Sequence, residues 1–269
     1  MLKFLILGDI FGRNGRRLVK KFLPELKKQY SPDFMIANSE NMTSGRGAVV
    51  KHILEMKELG FDCLTGGNHS FANLNDNETY INSSDSIQIR PANYFDHPEY
   101  PVPGKGYKII EKNGKKILVI NLLGNSFMGG HIYNPFMKVD EILAETGNNF
   151  DSIIVDFHRE TTAESYALSE YLSGKVTLVY GTHTHVQTND EHILSSGTAM
   201  ITDIGMVGSL HSSLGQKFES RIPNFATGIN IFSAKNEVDM GPGLVNGIYV
   251  EIEDRKCIKI EKVRLIEKV

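Results

Sequence analysis

Hydrophobic and polar positions alternate along the first part of the chain in a way that predicts strands followed by helices. Residues 2–7 form a continuous apolar run, which is typical of a central strand covered on both faces. Residues 14–29 place leucines, a valine and a phenylalanine on one helical face and charged side chains on the other, which predicts an amphipathic helix. Shorter segments repeat the pattern, with a strand at 33–37, a helix at 48–58 and a strand at 61–65.

The pattern changes twice in the remainder of the chain. Residues 70–86 are polar and rich in Asn, Ser and Asp, which predicts a loop holding at most one helix. Strand-like runs at 106–111 and 116–122 flank Asn113-Gly114, a strong hairpin signal. Alternation then resumes, with helices at 138–147 and 161–172 and strands at 152–157 and 175–180. The last part predicts strands without clear helices between them, at 198–203, 227–234, 246–252 and 256–266.

Strand–helix units early and late in the chain, with hairpins between and after them, predict a two-sheet α/β/β/α sandwich with its helices outside. The 269 residues fit one large domain, and no repeat, linker or low-complexity stretch divides them. We therefore expect a single domain over residues 1–269. A content of 41% hydrophobic and 23% charged residues is ordinary for a globular protein with a sizeable core.

Composition excludes several classes of function. The net charge of −3 provides no overall field toward nucleic acid or membranes, and no basic stripe with interleaved aromatics marks a nucleic-acid-binding surface. Cys63 and Cys257 form neither a disulfide framework nor a CxxC motif, which fits a reducing compartment. The apolar N-terminal run is too short for a signal peptide, and no segment reaches the roughly 18 apolar residues of a membrane span. We expect a cytoplasmic protein.

Metal-capable side chains follow five of the predicted strands. In open α/β sheets, functional groups gather just beyond the carboxyl ends of the strands. Here those positions carry Asp9, Glu40, Asn41, Asn68, His69, His158, His183 and His185. Five apolar strands that all end in Asp, Glu, Asn or His predict a metal site at one edge of the fold.

Each of these residues, taken alone, has a plain structural interpretation. Asp9 can cap the next helix, Glu40-Asn41 can be solvated loop residues, and Asn68-His69 can serve a turn. His158 alone is more often a structural histidine. The His183-x-His185 pair is more specific, because residues i and i+2 at a strand end point the same way and both imidazoles can face one ion. It is the occurrence of all these residues at successive strand ends, and not any one of them, that indicates a metal site.

The type and number of candidate ligands indicate two ions. Carboxylate, amide and imidazole groups without thiolate favour Mn, Fe or Zn over Ca or Mg. Seven candidate ligands are too many for one tetrahedral zinc, and they suit two ions about 3.5–4 Å apart that a carboxylate bridges. Two divalent ions, two carboxylates and a bridging hydroxide leave about one positive charge. Such a site predicts an anionic phosphate substrate.

These strand-end residues resemble the motifs of the calcineurin-like metallophosphoesterase superfamily, and above all its YmdB-like bacterial branch. Gly8 to Gly12 match that branch's Gly-Asp-Ile-x-Gly motif, and Asn38 to Asn41 match its Asn-x-Glu-Asn motif. Further matching segments are 67–69, 90–94, 156–158, 181–188 and 202–208. The resemblance spans nearly the whole chain, and its blocks at 90–94 and 181–188 are highly specific.

The resemblance implies a role for each candidate residue. One ion would be held by Asp9, Asn41 and His185, the other by Asn68, His158 and His183, with Glu40 as the bridge between them. His69 would be the general acid that protonates the leaving oxygen after attack by the bridging hydroxide. The implied cofactors are two divalent or mixed-valence ions of iron or manganese, with zinc and magnesium as alternatives. The implied substrates are small phosphodiesters, cyclic nucleotides of the 2′,3′ type included, and the implied assembly is a homo-oligomer.

The sequence also departs from the pattern of the branch. Ser70-Phe71-Ala72 follows Gly-Asn-His where the branch has an aromatic residue and then Asp. Arg159 stands in place of an alanine, and Ser165 lies near the position of a lysine. Ser209-Leu210-His211 replaces Pro-Tyr-Asp. No departure removes a candidate ligand, so they bear on substrate preference and rate.

Several roles and functions stay open from the sequence. Arg90 contacts substrate phosphate or holds a loop, and Asn93 of the same block is a second candidate for substrate binding. His69 either acts as the acid or supports a ligand, and Asp203 either supports a ligand histidine or caps a turn. The alternatives to a phosphodiesterase are a phosphomonoesterase or RNA-end phosphatase on the same metals, and a nucleotide-sensing regulatory protein with little turnover.

Overall fold

The computed structural model describes residues 1–229 and 237–268. Its strands are β1 (Leu2–Ile10), β2 (Phe34–Asn38), β3 (Cys63–Thr65), β4 (Tyr107–Lys112), β5 (Lys115–Leu123), β6 (Ser152–His158), β7 (Leu178–Thr182), β8 (His192–Ile193), β9 (Ala199–Ile201), β10 (Met206–Ser209), β11 (Gly243–Glu253) and β12 (Lys256–Ile266). Its helices are α1 (Gly12–Tyr30), α2 (Val50–Glu58), α3 (Leu74–Ile81), α4 (Pro135–Thr146), α5 (Thr162–Tyr171) and α6 (Phe218–Thr227).

The described strands form two six-stranded mixed sheets, in the orders β12-β11-β10-β1-β2-β3 and β4-β5-β6-β7-β9-β8. In the first sheet β10, β1, β2 and β3 run parallel, and in the second β5, β6, β7 and β9 do so. Parallel strands deliver their carboxyl ends to the same edge of a sheet. The fold therefore brings the residues that follow β1, β2, β3, β6 and β7 to two facing sheet edges.

The core explains why β1 is apolar on both faces. Phe4 and Ile6 lie in the cluster between the two sheets. Leu5 and Leu7 point the other way and pack with Leu18 of α1. A third cluster packs α4 and α5 against the outer face of the second sheet. The layers run helix, sheet, sheet, helix, so the predicted α/β/β/α sandwich is confirmed.

Three local features differ from the sequence prediction. Helix α6 lies among the C-terminal strands, where no clear helix was expected, because Pro223 in its interior hides the helical signal. Strands β8 and β10 have two and four residues, which is too short for a readable period. The strand predicted at 227–234 is wrong at Thr227, which ends α6, and residues 230–234 lie outside the described residues. The polar segment 70–86 does hold one helix, α3.

Across residues 1–229 and 237–268, no helix has the length and apolar character that crossing a membrane requires.

Candidate metal centre

The strand ends that the sequence singles out meet where the two sheets face each other. His158 is the last residue of β6, and Asp9 lies near the end of β1. The other predicted ligands occupy the loops directly after β2, β3 and β7. Backbone hydrogen bonds tie these loops together, among them Asp9 N to Gly205 O at 3.1 Å and Ser39 N to Thr65 O at 2.8 Å. These hydrogen bonds fix the backbone segments that carry the side chains.

One group of ligand atoms surrounds the Nε2 atom of His158. That nitrogen lies 3.1 Å from Glu40 Oε2, 3.1 Å from Asn68 Oδ1 and 3.1 Å from His183 Nδ1. Ligand atoms of Glu40, His158 and His183 all lie within 4.8 Å of one another. A carboxylate oxygen, an amide oxygen and two imidazole nitrogens that converge from four segments form a donor set suited to one transition-metal ion.

A second group of ligand atoms lies beside the first. His185 Nε2 is 2.9 Å from Asn41 Oδ1 and 3.9 Å from Asp9 Oδ1. Asp9 is fully buried, and in the described part of the chain its Oδ1 atom has no hydrogen-bond partner. A buried carboxylate oxygen without a partner is costly unless a cation compensates its charge. The residues present therefore fit a second metal ion.

A buried network orients the imidazole of His158. Thr182 Oγ1 donates to Asp156 Oδ1 at 2.7 Å, so the same hydroxyl oxygen accepts from His158 Nδ1 at 2.9 Å. Asp156 is itself fixed by Thr65 and by Asn38, whose Nδ2 lies 3.2 Å from Oδ2. With the proton on Nδ1, the lone pair of Nε2 faces the other ligand atoms. Asp156 thus orients the imidazole of His158, a predicted ligand, through Thr182.

Burial and neighbouring charges shift the pKa values of these groups. Burial lowers the pKa of His183 to about 3, with a contribution from His158, and burial also lowers the pKa of His185. Burial raises the pKa of Asp9. Burial would raise the pKa of Glu40 as well, but His158 and His69 outweigh it and hold the pKa at about 2. Neutral imidazoles and ionised carboxylates are the forms that bind metals, and the shifts at His183, His185 and Glu40 favour them. Burial lowers the pKa of His158 but Glu40 outweighs it and raises that pKa to about 9, so His158, like Asp9, would release a proton on binding a metal ion.

The loop that carries His183 and His185, two of the predicted ligands, has unusual backbone geometry. His183 and His185 have φ values of 104° and 66°, in the left-handed region, which costs about 1–3 kcal/mol per residue. Thr184 between them is held by Asp203, whose Oδ2 accepts from Thr184 N at 3.0 Å and from Thr184 Oγ1 at 2.9 Å. Burial raises the pKa of Asp203 to about 6, although Arg159 lowers it. Both roles open from the sequence are present, because Asp203 Oδ1 caps a turn by accepting from Gly205 N at 2.8 Å while Oδ2 holds Thr184 between the two histidines.

A cavity of about 570 Å³ opens next to these ligand atoms. Its lining comprises Phe11, Glu40, Asn41, Gly45, Arg46, His69, Glu160, His183, Thr184, His185, Ser213, Leu214, Gln216, Arg221 and Phe225. His69 is half-buried, and its backbone nitrogen donates to Glu40 Oε2 at 3.1 Å. Burial and the nearby Arg46 both lower the pKa of the His69 imidazole.

Sequence reasoning missed three residues in this lining that can contact a substrate. Arg46 and Arg221 have no carboxylate partner within the described ranges, and Phe225 is 72% exposed. Arg221 lies over the Phe225 ring, 5.2 Å from its centroid. Arg46 lies in the loop after β2, and the other two lie on α6. None of the three directly follows a strand, so the strand-end pattern gave no signal for them.

Arg90 and Asn93 do not line the cavity. Arg90 donates to the carbonyls of Pro91 and Ala92, and its Nη2 lies 3.4 Å from Asp96. Asn93 Nδ2 donates to Leu123 O, while Asn93 Oδ1 accepts from Leu123 N, both at 2.8 Å. Both side chains hold loops, so the structure does not bring them to the site as the substrate contacts that the sequence suggested.

A two-sheet sandwich with this donor set at its facing strand ends fits the resemblance to the calcineurin-like metallophosphoesterases that the sequence motifs indicate. A crystal structure described as a novel phosphatase from Mycoplasma pneumoniae has a TM-score of 0.90 at 36% identity, covering 99% of this chain and 94% of that one. The NAD nucleotidase of Haemophilus influenzae covers 99% of this chain and 56% of its own, with a TM-score of 0.61 at 15% identity, which shows the fold alone.

The family model of the YmdB-like proteins matches residues 5–263, and the chain belongs to that family. The chain is 38% identical over 266 residues to the 2′,3′-cyclic-nucleotide 2′-phosphodiesterase of Bacillus subtilis (strain 168), covering 97% of this chain and 96% of the relative. The predicted family is therefore confirmed, and the chain is a phosphoesterase.

Proposed function

We propose that this phosphoesterase is a dinuclear-metal phosphodiesterase that hydrolyses small phosphate diesters, with cyclic nucleotides such as 2′,3′-cyclic AMP as substrates. The observation that carries the proposal is the pair of adjacent ligand groups, one around His158 Nε2 and one around His185 Nε2. The name of the Bacillus subtilis relative, a 2′,3′-cyclic-nucleotide 2′-phosphodiesterase, supports the substrate class.

The metal ions would be held by the residues that the family resemblance implies, with Glu40 between the two groups. We propose iron or manganese, because imidazole, amide and carboxylate ligands without thiolate suit these metals, and zinc and magnesium are the alternatives. Two such ions, when bound, supply an activated water and neutralise the phosphate oxygens. The side chains of the protein then have to orient the diester and deliver a proton to the leaving oxygen.

We propose that His69 delivers that proton. Its backbone is fixed by Glu40 at 3.1 Å, and its imidazole lies in the cavity lining beside the ligand Asn68. A positioned imidazole typically contributes about 10²–10⁴-fold as a general acid. Cytoplasmic location and homo-oligomeric assembly remain predictions from the sequence.

The test of the proposal is a hydrolysis panel. We expect metal-stripped protein to be inactive on bis(nitrophenyl) phosphate and on 2′,3′-cyclic AMP, and reloading with Mn²⁺ or Fe²⁺ to restore both activities. Colour release and chromatography of the nucleotide products measure the rates. Two bound ions per chain with no hydrolysis of any diester would contradict the proposal and favour the nucleotide-sensing function.

A phosphomonoesterase is the second candidate, because the Mycoplasma pneumoniae structure at 36% identity is described as a phosphatase. The same metals and cavity can serve both reactions, so the substrate decides between them. A higher kcat/KM on nitrophenyl phosphate than on its bis-ester would favour the monoesterase. The opposite order would favour the diesterase.

Arg221 offers a prediction about substrate binding. The Arg221→Gln substitution should raise the KM for 2′,3′-cyclic AMP about 10–150-fold, because a charge-assisted contact with phosphate contributes about 1.5–3 kcal/mol. Steady-state kinetics should show kcat nearly unchanged. The matched control is Arg264→Gln, which removes an exposed arginine of β12 that does not line the cavity. Equal KM values for the two variants would rule out the substrate contact.

A further inference from the structure

Arg159 is a fully buried arginine next to the ligand His158. Its side chain is 0% exposed, its Nε donates to Ser165 Oγ on α5, and its Nη1 lies 3.6 Å from Asp203 Oδ2. In the described part of the chain, neither Nη1 nor Nη2 has a hydrogen-bond acceptor. A buried guanidinium is costly unless a carboxylate compensates its charge. Asp203, also 0% exposed, is the carboxylate in direct ionic contact.

The neighbouring strand ends leave room for this side chain. A Cβ atom at Gly124, just after β5, would lie 2.5 Å from the Cβ of Arg159. A Cβ atom at Gly181, within β7, would lie 2.7 Å from Nη2 of Arg159. Side-chain atoms essentially never approach so closely, so a side chain at either position would crowd Arg159, although at Gly181 it would first meet the carbonyl oxygen of Thr202. Arg159 is thus closely surrounded by the ends of β5 and β7.

Asp203 connects Arg159 to the loop of the histidine ligands. One oxygen of Asp203 accepts from both Thr184 N and Thr184 Oγ1, while the other accepts from Gly205 N at 2.8 Å. Thr184 lies between His183 and His185, which both have left-handed backbone conformations. A residue keeps such a conformation only when several surrounding contacts hold its backbone in place. The contacts of Asp203 provide that restraint.

We propose that Arg159 is a positioning residue for the metal ligands, which acts by fixing Asp203 and through it the His183–His185 loop. This inference rests on the proposed metal site. Without the guanidinium, Asp203 would be a buried carboxylate that no cationic side chain of residues 1–229 and 237–268 contacts, and its hold on Thr184 would loosen. Partners that orient metal ligands in this way typically change metal affinity about 10–100-fold when they are removed.

Arg159 and Ser165 are in contact, and at both positions the chain departs from the family pattern that follows the Asp-x-His motif. Arg159 Nε bonds to Ser165 Oγ, and the family pattern has alanine and lysine at or near these positions. A lysine side chain at position 165 would extend from the helix position whose hydroxyl Arg159 already contacts. The double variant Arg159→Ala with Ser165→Lys therefore returns a cation to the same buried space from helix α5.

The test measures Mn²⁺ affinity of the full chain by titration, together with metal content per chain. Arg159→Met, which keeps the apolar stem and removes the charge, should weaken Mn²⁺ binding about 10–100-fold. The double variant should recover most of that loss. The matched control is Arg90→Met, which removes another buried arginine that holds a loop; it should lower the melting temperature and leave Mn²⁺ affinity unchanged.

Unchanged Mn²⁺ affinity in folded Arg159→Met would overturn the inference, as would a folded double variant that binds no better than Arg159→Met. If Arg159→Met does not fold, the Mn²⁺ affinity of Thr184→Val is measured instead, because Thr184 is only half-buried and the substitution is less disruptive. Weaker Mn²⁺ binding by Thr184→Val then supports the inference, and unchanged binding overturns it. A parent protein that binds no Mn²⁺ would defeat the proposed function, whereas equal binding by parent and Arg159→Met defeats only this inference.

Discussion

Glu40→Ala should lose both bound metal and phosphodiester hydrolysis. The side chain is 1% exposed, and its Oε2 atom lies 3.1 Å from His158 Nε2 and accepts from His69 N at 3.1 Å. The substitution removes a negative charge from the centre of the ligand atoms, so two divalent ions would have to approach each other without it. We expect turnover to fall at least about 10³-fold, since metal ions supply several kcal/mol of transition-state stabilisation.

Metal content per chain and the rate on bis(nitrophenyl) phosphate should fall together in this variant. Glu267→Ala is the matched control, because that carboxylate is also largely shielded but binds Arg17 and Lys21 of α1 and does not line the cavity. It should lower the melting temperature and keep both metal and activity. Glu40→Gln keeps the size of the side chain, so a loss of metal and activity in this variant would come from the missing charge and not from a folding defect. Two bound ions and a full rate in Glu40→Gln would refute the role of Glu40.

The sequence could predict the position of the ligands because the fold itself places them. Each follows or ends a buried parallel strand, and the carboxyl ends of such strands share one edge. The structure brings all seven predicted ligands and His69 to that edge, as the contacts around His158 and His185 show. Their role as ligands remains a prediction, but their proximity follows from strand order together with the packing of the two sheets on each other.

The cavity wall could not be predicted in the same way. Arg46 lies in the loop beyond the β2 ligands, and Arg221 and Phe225 lie on a helix that Pro223 conceals in the sequence. Loop and surface positions carry no periodic pattern, so nothing in the sequence indicates which of the exposed arginines face the site. For Arg90 the sequence misleads in the opposite way. A specific motif marks its position as a substrate contact, but its guanidinium donates to loop carbonyls.

Arg159 was unpredictable for a third reason. An arginine beside a ligand histidine is ordinarily an exposed or substrate-facing residue. It is buried beside Gly124 and Gly181, which are distant in sequence and adjoin it only because β5, β6 and β7 are neighbours in the sheet. Local sequence thus specifies which donor atoms are present, whereas the supporting contacts that hold a left-handed histidine loop arise from tertiary packing.

His69→Gln should slow the hydrolysis of 2′,3′-cyclic AMP about 10²–10⁴-fold, because its alkoxide leaving group needs a proton in the transition state. Nitrophenolate leaves readily without a proton, so the same variant should slow bis(nitrophenyl) phosphate hydrolysis far less. Metal content should stay at the parent level, since the contact of residue 69 with Glu40 is made by its backbone nitrogen.

The ratio of the two rate losses separates the roles that the sequence left open for His69. A general acid gives a large loss on the poor leaving group and a small one on the good leaving group. A residue that only supports the ligand Asn68 would give equal losses on both substrates together with reduced metal content. His97→Gln, at an exposed histidine that does not line the cavity, provides the control for a general effect of the substitution.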